Sequence, residues 1–421
     1  MLYDAWLAVV RERGVETALW EVESGRRWSF ADLCRVAEAE AIPGTGMVHP
    51  QGHSARFVVE VLRGWRSGRV VCPLEPGQQP PAVPGPPGSC RHLKMTSATT
   101  GSPKVIAFRE SQLAADAENI VATMGLRPDW PNLGAISMAH SYGFSNLVLP
   151  LLLHGIPLII AASPLPEMLK VAAAGHSHLT LAGVPALWRA WLAAGVIPGT
   201  VRLAISAGAP LGIGLEGSIH ERTGLKVHNF YGCSECGGIA YDATPMPRER
   251  EEHVGQPMRN VRLETGPEGC LSVISRAAGE CYWPDLSPAL GDGRFVSADL
   301  AEIIGGEVHL RGRLGEQINV AGRKVSPEVV EAAIRSHPEV RECVVFGVPS
   351  GSEDRVDQIV ACVAGVAGSG VADLRRHLLD LLPAWQVPRD FWIVDSLAAN
   401  DRGKLSRPEW RRNYLSRNGG V

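Results

Sequence analysis

What this sequence lacks is informative first. Neither sign of charge predominates: 41 Lys and Arg stand against 44 Asp and Glu, a net charge of -3. Such a chain has no basic field for nucleic acid and no polybasic clamp for a membrane surface. The longest apolar run, Leu147 to Ala162, is broken by Pro150, His154, Gly155 and Pro157. A spanning helix needs about 20 continuous apolar residues, so a buried helix, a turn and a buried strand are expected there. Met1 to Arg13 carries Asp4, Arg11, Glu12 and Arg13, without the basic-then-apolar order of a signal peptide. The nine cysteines are scattered and odd in number, with no disulfide framework. A reducing, cytoplasmic compartment is the expectation.

What is present is globular: 45% hydrophobic and 20% charged residues, in a chain of 421, enough for two or three cores. Trp28, Phe30 and Leu33 open a helical pattern, and Ala55 to Trp65 reads as a helix leading into a strand, Val70 to Leu74. Pro76 to Gly88 is rich in Pro and Gly, has no periodicity and is expected to be irregular. Short apolar strands follow (Gly134 to Met138, Pro157 to Ala161, Leu179 to Ala182, Leu203 to Ser206, Lys226 to Tyr231), separated by helices at Glu167 to Ala174 and Pro185 to Ala194. That alternation predicts a mostly parallel sheet covered on both faces, with ligands beyond the C-terminal ends of its strands. The last hundred residues change character. Ser326-Pro327 starts a helix with Val329, Val330, Ala333 and Ile334 on one face. Strands Glu342 to Val348 and Gln358 to Ala364, a helix with Leu374, Leu378, Leu381 and Leu382 inward, and a strand Phe391 to Val394 complete a separate small α+β domain.

Three segments carry chemistry. Thr96-Ser97-Ala98-Thr99-Thr100-Gly101-Ser102-Pro103-Lys104 holds five hydroxyls, a glycine and a terminal lysine. Such a loop can aim hydroxyls and backbone N–H groups at phosphate oxygens, with the lysine as a point charge; its spacing is not that of a Walker loop. After the strand ending at Ser206 come the small residues Ala207, Gly208, Ala209, Pro210 and Leu211, which let a flat ring approach the backbone. After Lys226 to Tyr231 come Gly232, Cys233, Ser234 and Glu235. Tyr231 can stack on a base there, and Glu235 can hold Mg²⁺ through oxygen. Cys233-x-x-Cys236 has no second such pair to complete a four-ligand zinc site. Trp188 and Trp191, at helical spacing, read as core.

These segments resemble the adenylate-forming superfamily of acyl/aryl-CoA synthetases, luciferase and nonribosomal-peptide adenylation domains, closest to the acyl/aryl-CoA synthetase branch. Its phosphate loop, T-S-G-T-T-G-x-P-K, is similar to Thr96 to Lys104, and its Y-G-x-T-E motif to Tyr231 to Glu235, with Ser234 at the hydroxyl. T-G-D resembles Ser297-Ala298-Asp299, and the hinge pair G-R resembles Gly312-Arg313. A loop ending in V-x-P-x-E-[VI]-E is similar to Gly322 to Glu331, and G-K-[ILV]-x-R to Gly403 to Arg407. Six motifs in the family's order leave chance a poor explanation.

The resemblance implies a large N-terminal α/β domain of residues 1–313 and a small mobile C-terminal domain of residues 316–421. It implies ATP, Mg²⁺ and coenzyme A (or phosphopantetheine) as cofactors, and a small carboxylic acid as substrate. Thr96, Ser97, Thr99, Thr100, Gly101 and Lys104 would surround the phosphates. Gly208, Ala209, Pro210, Tyr231, Gly232 and Ser234 would border the nucleotide, and Asp299 and Arg313 would hold the ribose. Glu235 would carry the metal, Lys404 would be the catalytic lysine, and Gly322 would line the thiol tunnel. His140 stands where the family's CoA ligases border the acyl pocket; a satisfied loop histidine is the plainer alternative. The acceptor is coenzyme A, with an acyl carrier protein as the alternative; a non-catalytic nucleotide- or acyl-binding homologue is the reading from another class. Four departures stand out. Ala98 and Ala298 replace usual glycines, Gly315 stands where Asp or Lys is normal at the hinge, and the chain before residue 96 is short. Between His140 and Phe144 there is no acid to pair with an α-ammonium group, which argues for an acid without one.

Overall fold

Short apolar runs alternating with helices produce one large sheet and, after it, a second set of smaller ones. The computed structural model describes all residues other than 40–43, 45, 97–103, 162, 321–322, 353–354, 367–369, 398–404 and 418–421. In chain order the strands begin with β1 (Thr17–Glu21), β2 (Arg27–Ser29), β3 (Cys90–Met95), β4 (Val105–Arg109), β5 (Asn132–Gly134), β6 (Leu158–Ile160) and β7 (Leu179–Gly183). There follow β8 (Val201–Ser206), β9 (Val227–Cys233), β10 (Gly237–Tyr241), β11 (His253–Pro257), β12 (Val261–Thr265), β13 (Cys270–Ser275), β14 (Cys281–Trp283) and β15 (Leu290–Gly291). The last are β16 (Arg294–Ile304), β17 (Glu307–Arg313), β18 (Ile318–Val320), β19 (Arg323–Val325), β20 (Glu342–Ser352), β21 (Arg355–Ala364) and β22 (Asp390–Val394).

Among the described residues, fourteen strands form the large sheet, in the order β12-β13-β16-β17-β11-β10-β9-β8-β7-β5-β6-β1-β2, with β15 beside β16. From β1 through β6, β5, β7 and β8 to β9 every neighbouring pair is parallel, because helices cross over between most of these strands. At β9 the chain turns straight back as β10, and from there to β12 every pair is antiparallel. The parallel half obeys the expected alternation, and the antiparallel half belongs to residues whose pattern carried no such signal.

Local differences have local causes. β5 stops at Gly134, so Ala135 to Met138 follow the strand rather than form it, and β9 runs on to Cys233, taking Tyr231 and Gly232 into the strand. The expected strand Val70 to Leu74 pairs only through isolated bridges at Val71 and Leu74. Trp188 and Trp191 are fully buried, as their spacing implies. In the C-terminal domain, β20, β21 and β22 form a sheet with the helix Pro327–Arg335 and the helix Val371–Leu381 on its hydrophobic face. Val329 is exposed, because Val330 and Ile334, four apart, already define the buried stripe. Leu381 is also exposed, being the last helical residue before the chain straightens at Leu382. The helix does begin after Ser326, yet that hydroxyl donates to the Glu328 carboxylate and caps no backbone N–H.

One buried polar unit joins fold to site. Asp116, on the helix Glu110–Met124, accepts from Ser145 Oγ at 2.5 Å and from the backbone N–H of Gly238 at 3.2 Å, with Lys94 Nζ 3.7 Å away. Gly237, with φ +69, sits so close that a Cβ would stand 2.0 Å from Asp116 Oδ1. Only glycine fits there, and this fixes the β9–β10 turn that carries Glu235.

Candidate active site

The parallel order β5-β7-β8-β9 brings four strand ends side by side. His140 follows β5, Val184 follows β7, Gly208 to Pro210 follow β8, and β9 itself carries Tyr231 and Gly232 into the β9–β10 turn. In open α/β sheets this edge is where ligands bind.

Two hydrogen-bonded clusters lie on either side of that turn. In the first, Tyr231 donates its hydroxyl to Asp299 Oδ2 at 2.5 Å, and Arg313 Nε lies 2.9 Å from the other carboxylate oxygen. Asp299 and Arg313 are cross-strand partners on β16 and β17, which fixes their approach. Burial, and then Asp299, push the Tyr231 hydroxyl well above its ordinary pKa, so it stays a donor. Tyr231 lies 68 residues before Asp299, and Asp299 and Arg313 stand on separate strands, yet the three close into one unit. Leu314 donates its backbone N–H to the Ala298 carbonyl at 2.7 Å. Ala298 is not among the residues with positive φ, so its Cβ brings no backbone strain.

In the second cluster, Tyr282 Oη donates to Glu235 Oε1 at 3.0 Å, while the Lys104 ammonium lies 4.9 Å from the centre of the Tyr282 ring. β14 pairs with β4, setting Tyr282 opposite Ile106, two residues beyond Lys104. The Glu235 carbonyl accepts from Gly279 N at 2.8 Å. Tyr282 is the residue that sequence reasoning missed. It lies in a three-residue strand with no turn or periodic signal, 47 residues from the carboxylate it holds.

The phosphate-loop segment is described only at its base. Thr96 N donates to the Lys104 carbonyl at 2.8 Å, and Lys104 N donates to Thr96 Oγ1 at 3.0 Å. Ser97, Ala98, Thr99, Thr100 and Gly101 lie outside the described residues, as do Gly322 and Lys404. Ser234 is half-buried in the turn between the two clusters. Gly208 is exposed, and Val184 is the neighbour nearest to its open face.

His140 Nε2 lies 3.1 Å from Glu75 Oε1, which also accepts from Ser137 Oγ at 2.5 Å. A carboxylate thus does stand beside His140, but it comes from Glu75, and its oxygen is engaged by His140 and Ser137. Cys233 and Cys236 are free thiols with sulfurs 3.3 Å apart, and burial raises the Cys233 thiol well above its ordinary pKa. Among the described residues no cluster of three or more His, Cys, Asp or Glu is arranged to hold a metal. Magnesium makes a smaller demand, one or two carboxylates plus phosphate oxygens, and Glu235 meets it.

Further along the chain lies Gly315, at the position expected for the hinge. Gly315 has φ +84, and no atom lies within 4 Å of where a Cβ would stand. Backbone conformation alone thus selects glycine there.

The chain is similar to known proteins along most of its length. The family described as AMP-binding enzyme matches residues 24–273, and AMP-binding enzyme C-terminal domain matches residues 329–404. Feruloyl-CoA synthase from Amycolatopsis sp is 26% identical over 358 residues, covering 80% of this chain and 72% of that protein. A probable 2-succinylbenzoate–CoA ligase from Mycobacterium tuberculosis is 28% identical over 340 residues, covering 76% and 83%. Among solved structures, ATP-bound MatB from Rhodopseudomonas palustris superimposes with a TM-score of 0.85 at 21% identity, over 98% of this chain and 99% of that one.

Proposed function

Since the chain belongs to the AMP-binding enzyme family, we propose that it activates a small carboxylic acid with ATP as an acyl-AMP and passes the acyl group to the thiol of coenzyme A. The observation that carries this is the closure of Tyr231, Asp299 and Arg313 into one unit beside the Glu235–Tyr282–Lys104 cluster, at the sheet edge where nucleotides bind.

In the first half-reaction a carboxylate oxygen of the acid attacks the α-phosphorus of ATP, and the bond to pyrophosphate breaks. Asp299 accepts from the ribose hydroxyls while Arg313 and Tyr231 hold its carboxylate in place. Lys104 faces the phosphates from the closed base of its loop, with Thr96, Ser97, Thr99, Thr100 and Gly101 as further donors. Gly208, Ala209, Pro210, Gly232 and Ser234 border the base. Glu235 would hold Mg²⁺, which supplies charge neutralisation at the leaving pyrophosphate. Lys404, arriving with the C-terminal domain, bridges the carboxylate and the α-phosphate. In the second half-reaction the domain of residues 316–421 turns about Gly315 from the domain of residues 1–313. Gly322 then lines the thiol path, the thiol sulfur attacks the acyl carbonyl and loses its proton, and AMP leaves. His140, held by Glu75, borders the acyl pocket.

Two CoA ligases of aryl acids among the relatives make an aryl acid the first substrate class to try. Nine free thiols support a reducing, cytoplasmic setting, and no helix among the described residues is long and apolar enough to cross a membrane. The test is pyrophosphate release with a panel of aryl, short-chain and long-chain acids, repeated with coenzyme A and with a holo carrier protein. Release with an acid and thioester on coenzyme A is the expected result. Thioester only on the carrier protein would reassign the acceptor, and no release with any acid would favour a non-catalytic binder.

A further inference from the structure

A chain of seven alternating charges runs along the seam between the two domains and begins and ends in the N-terminal one. Asp299 holds Arg313, and Arg313 Nη1 lies 3.8 Å from Glu316. Glu316 and Glu331 both grip Arg407, which also reaches Glu328 at 2.7 Å. Arg335 lies 3.8 Å from Glu331 and donates through Nε and Nη2, at 3.0 and 2.6 Å, to a single oxygen of Glu251. Glu316, Glu331, Arg335 and Arg407 lie after Gly315, while Asp299, Arg313 and Glu251 lie before it. Within this chain of charges only the Arg313–Glu316 and Arg335–Glu251 links therefore cross between domains.

The far link has the properties of a latch. Its side chains are 25% and 14% exposed, so the pair is largely withdrawn from water and is stronger than an open surface pair. Glu251 is firmly based, since its carbonyl accepts from Arg248, whose guanidinium is buried on Glu216. Rotation about Gly315 carries Arg335 away from Glu251, whereas the links of Arg407 to Glu316, Glu328 and Glu331 travel with the domain. The pair is thus specific to one orientation. In that orientation the helix Pro327–Arg335, on which Arg407 rides, is pinned to the N-terminal domain near Asp299 and again at Glu251. Arg407, three residues from position 404 in the sequence, is thereby linked through Glu316 and Arg313 to Asp299 of the ribose cluster.

We infer that Glu251 and Arg335 are positioning residues for adenylation: their ion pair, made across the domain seam, holds the C-terminal domain in the orientation of the first half-reaction and must break for the second. This rests on the two-step reading given above. A second crossing pair, Arg189 with Glu342 at 3.1 Å, is more exposed and adds less.

The test uses the full chain with one non-cysteine label on each domain, at exposed Val15 and Leu381, to read the distribution of inter-domain distances. Pyrophosphate release and thioester formation from supplied acyl-AMP are measured separately. Glu251→Ala and Arg335→Ala should each shift the distance distribution about tenfold away from this orientation, between the effect of an exposed pair and that of a buried one. Each should slow adenylation several-fold and leave transfer from acyl-AMP undiminished. The reversed pair, Glu251→Arg with Arg335→Glu, should recover most of both readouts, which a merely structural loss would not. An unchanged distance distribution in the single variants, equal slowing of both half-reactions, or no recovery in the reversed pair would each overturn the latch. A wild-type chain that releases no pyrophosphate would overturn the two-step reading instead, and the distances would still decide the latch.

Discussion

Tyr282 offers the sharpest test of the site, because its two contacts can be removed one at a time. Tyr282→Phe deletes the 3.0 Å hydrogen bond to Glu235 and keeps the ring beneath Lys104. A hydrogen bond to a charged group is worth about 1.5–3 kcal/mol, and the low end applies because Glu235 is half-buried rather than enclosed. At roughly 1.4 kcal/mol per tenfold, kcat/KM for Mg-ATP should fall about tenfold. Tyr282→Leu removes the ring as well, and a cation–π contact at such a site adds about 0.5–1 kcal/mol. The total then becomes roughly 20- to 60-fold. The KM for the acid should stay within about twofold in both variants, since Glu235 and Lys104 are proposed to act on Mg-ATP rather than on the acid. The Phe variant should also recover partly at high Mg²⁺, because its defect is a loosely held metal ligand. Pyrophosphate release at varied Mg²⁺ and ATP measures all of this. A Phe variant equal to wild type, or Phe and Leu variants equal to each other, would refute the assignment of separate roles to hydroxyl and ring.

Glu235→Gln should weaken Mg-ATP use more than Tyr282→Phe does, with the fold intact by circular dichroism; unchanged turnover at limiting Mg²⁺ would remove Glu235 from the metal site. Gly315→Pro forces φ near -65°, whereas the residue stands at +84°, so this variant should lose adenylation and keep acyl-AMP transfer. Wild-type rates in both steps would show that Gly315 is no hinge. Lys226→Met leaves the buried carboxylate of Asp242 without the ammonium 2.7 Å away and should destabilise the protein by about 3–5 kcal/mol in urea unfolding. Burial raises the Asp242 carboxyl, but Lys226 and Thr244 outweigh it and hold it below its ordinary value. Its contribution is therefore full above pH about 4 and lost as pH falls further. Asp242→Asn should flatten the acid limb of stability against pH, and an acid limb identical to wild type would refute this.

What was legible in the sequence is what depends on neighbours along the chain. The parallel strands and the buried tryptophans follow from periodicity, the helix after Ser326 from Pro327 at its first position, and Tyr231 and Glu235 from one short motif. What was not legible depends on strand register. Asp299 and Arg313 are each named by resemblance, but their direct contact comes from the β16–β17 register, and Tyr282 meets Glu235 because β14 is laid beside β4. Neither register is written in the two residues themselves. Glu75 escaped notice for the same reason, since it comes from the loop-rich stretch before residue 90 and reaches His140 only in space.

The same distinction separates the two kinds of charge in the molecule. Lys226, Glu216, Asp242 and Arg248 are all buried within the N-terminal domain and keep their partners in any domain orientation. Breaking that group costs stability. Arg335 and Glu251 lie across the seam, where their partnership depends on which way the domain is turned. Breaking that pair alters a balance between orientations and leaves each core untouched. An ion pair that must form and part once in every turnover has to be weak enough to open, and partial exposure provides that. A fully buried pair at the same place would lock the first half-reaction and slow the second. The 25% and 14% exposure of this pair is therefore what a two-step cycle requires of a latch.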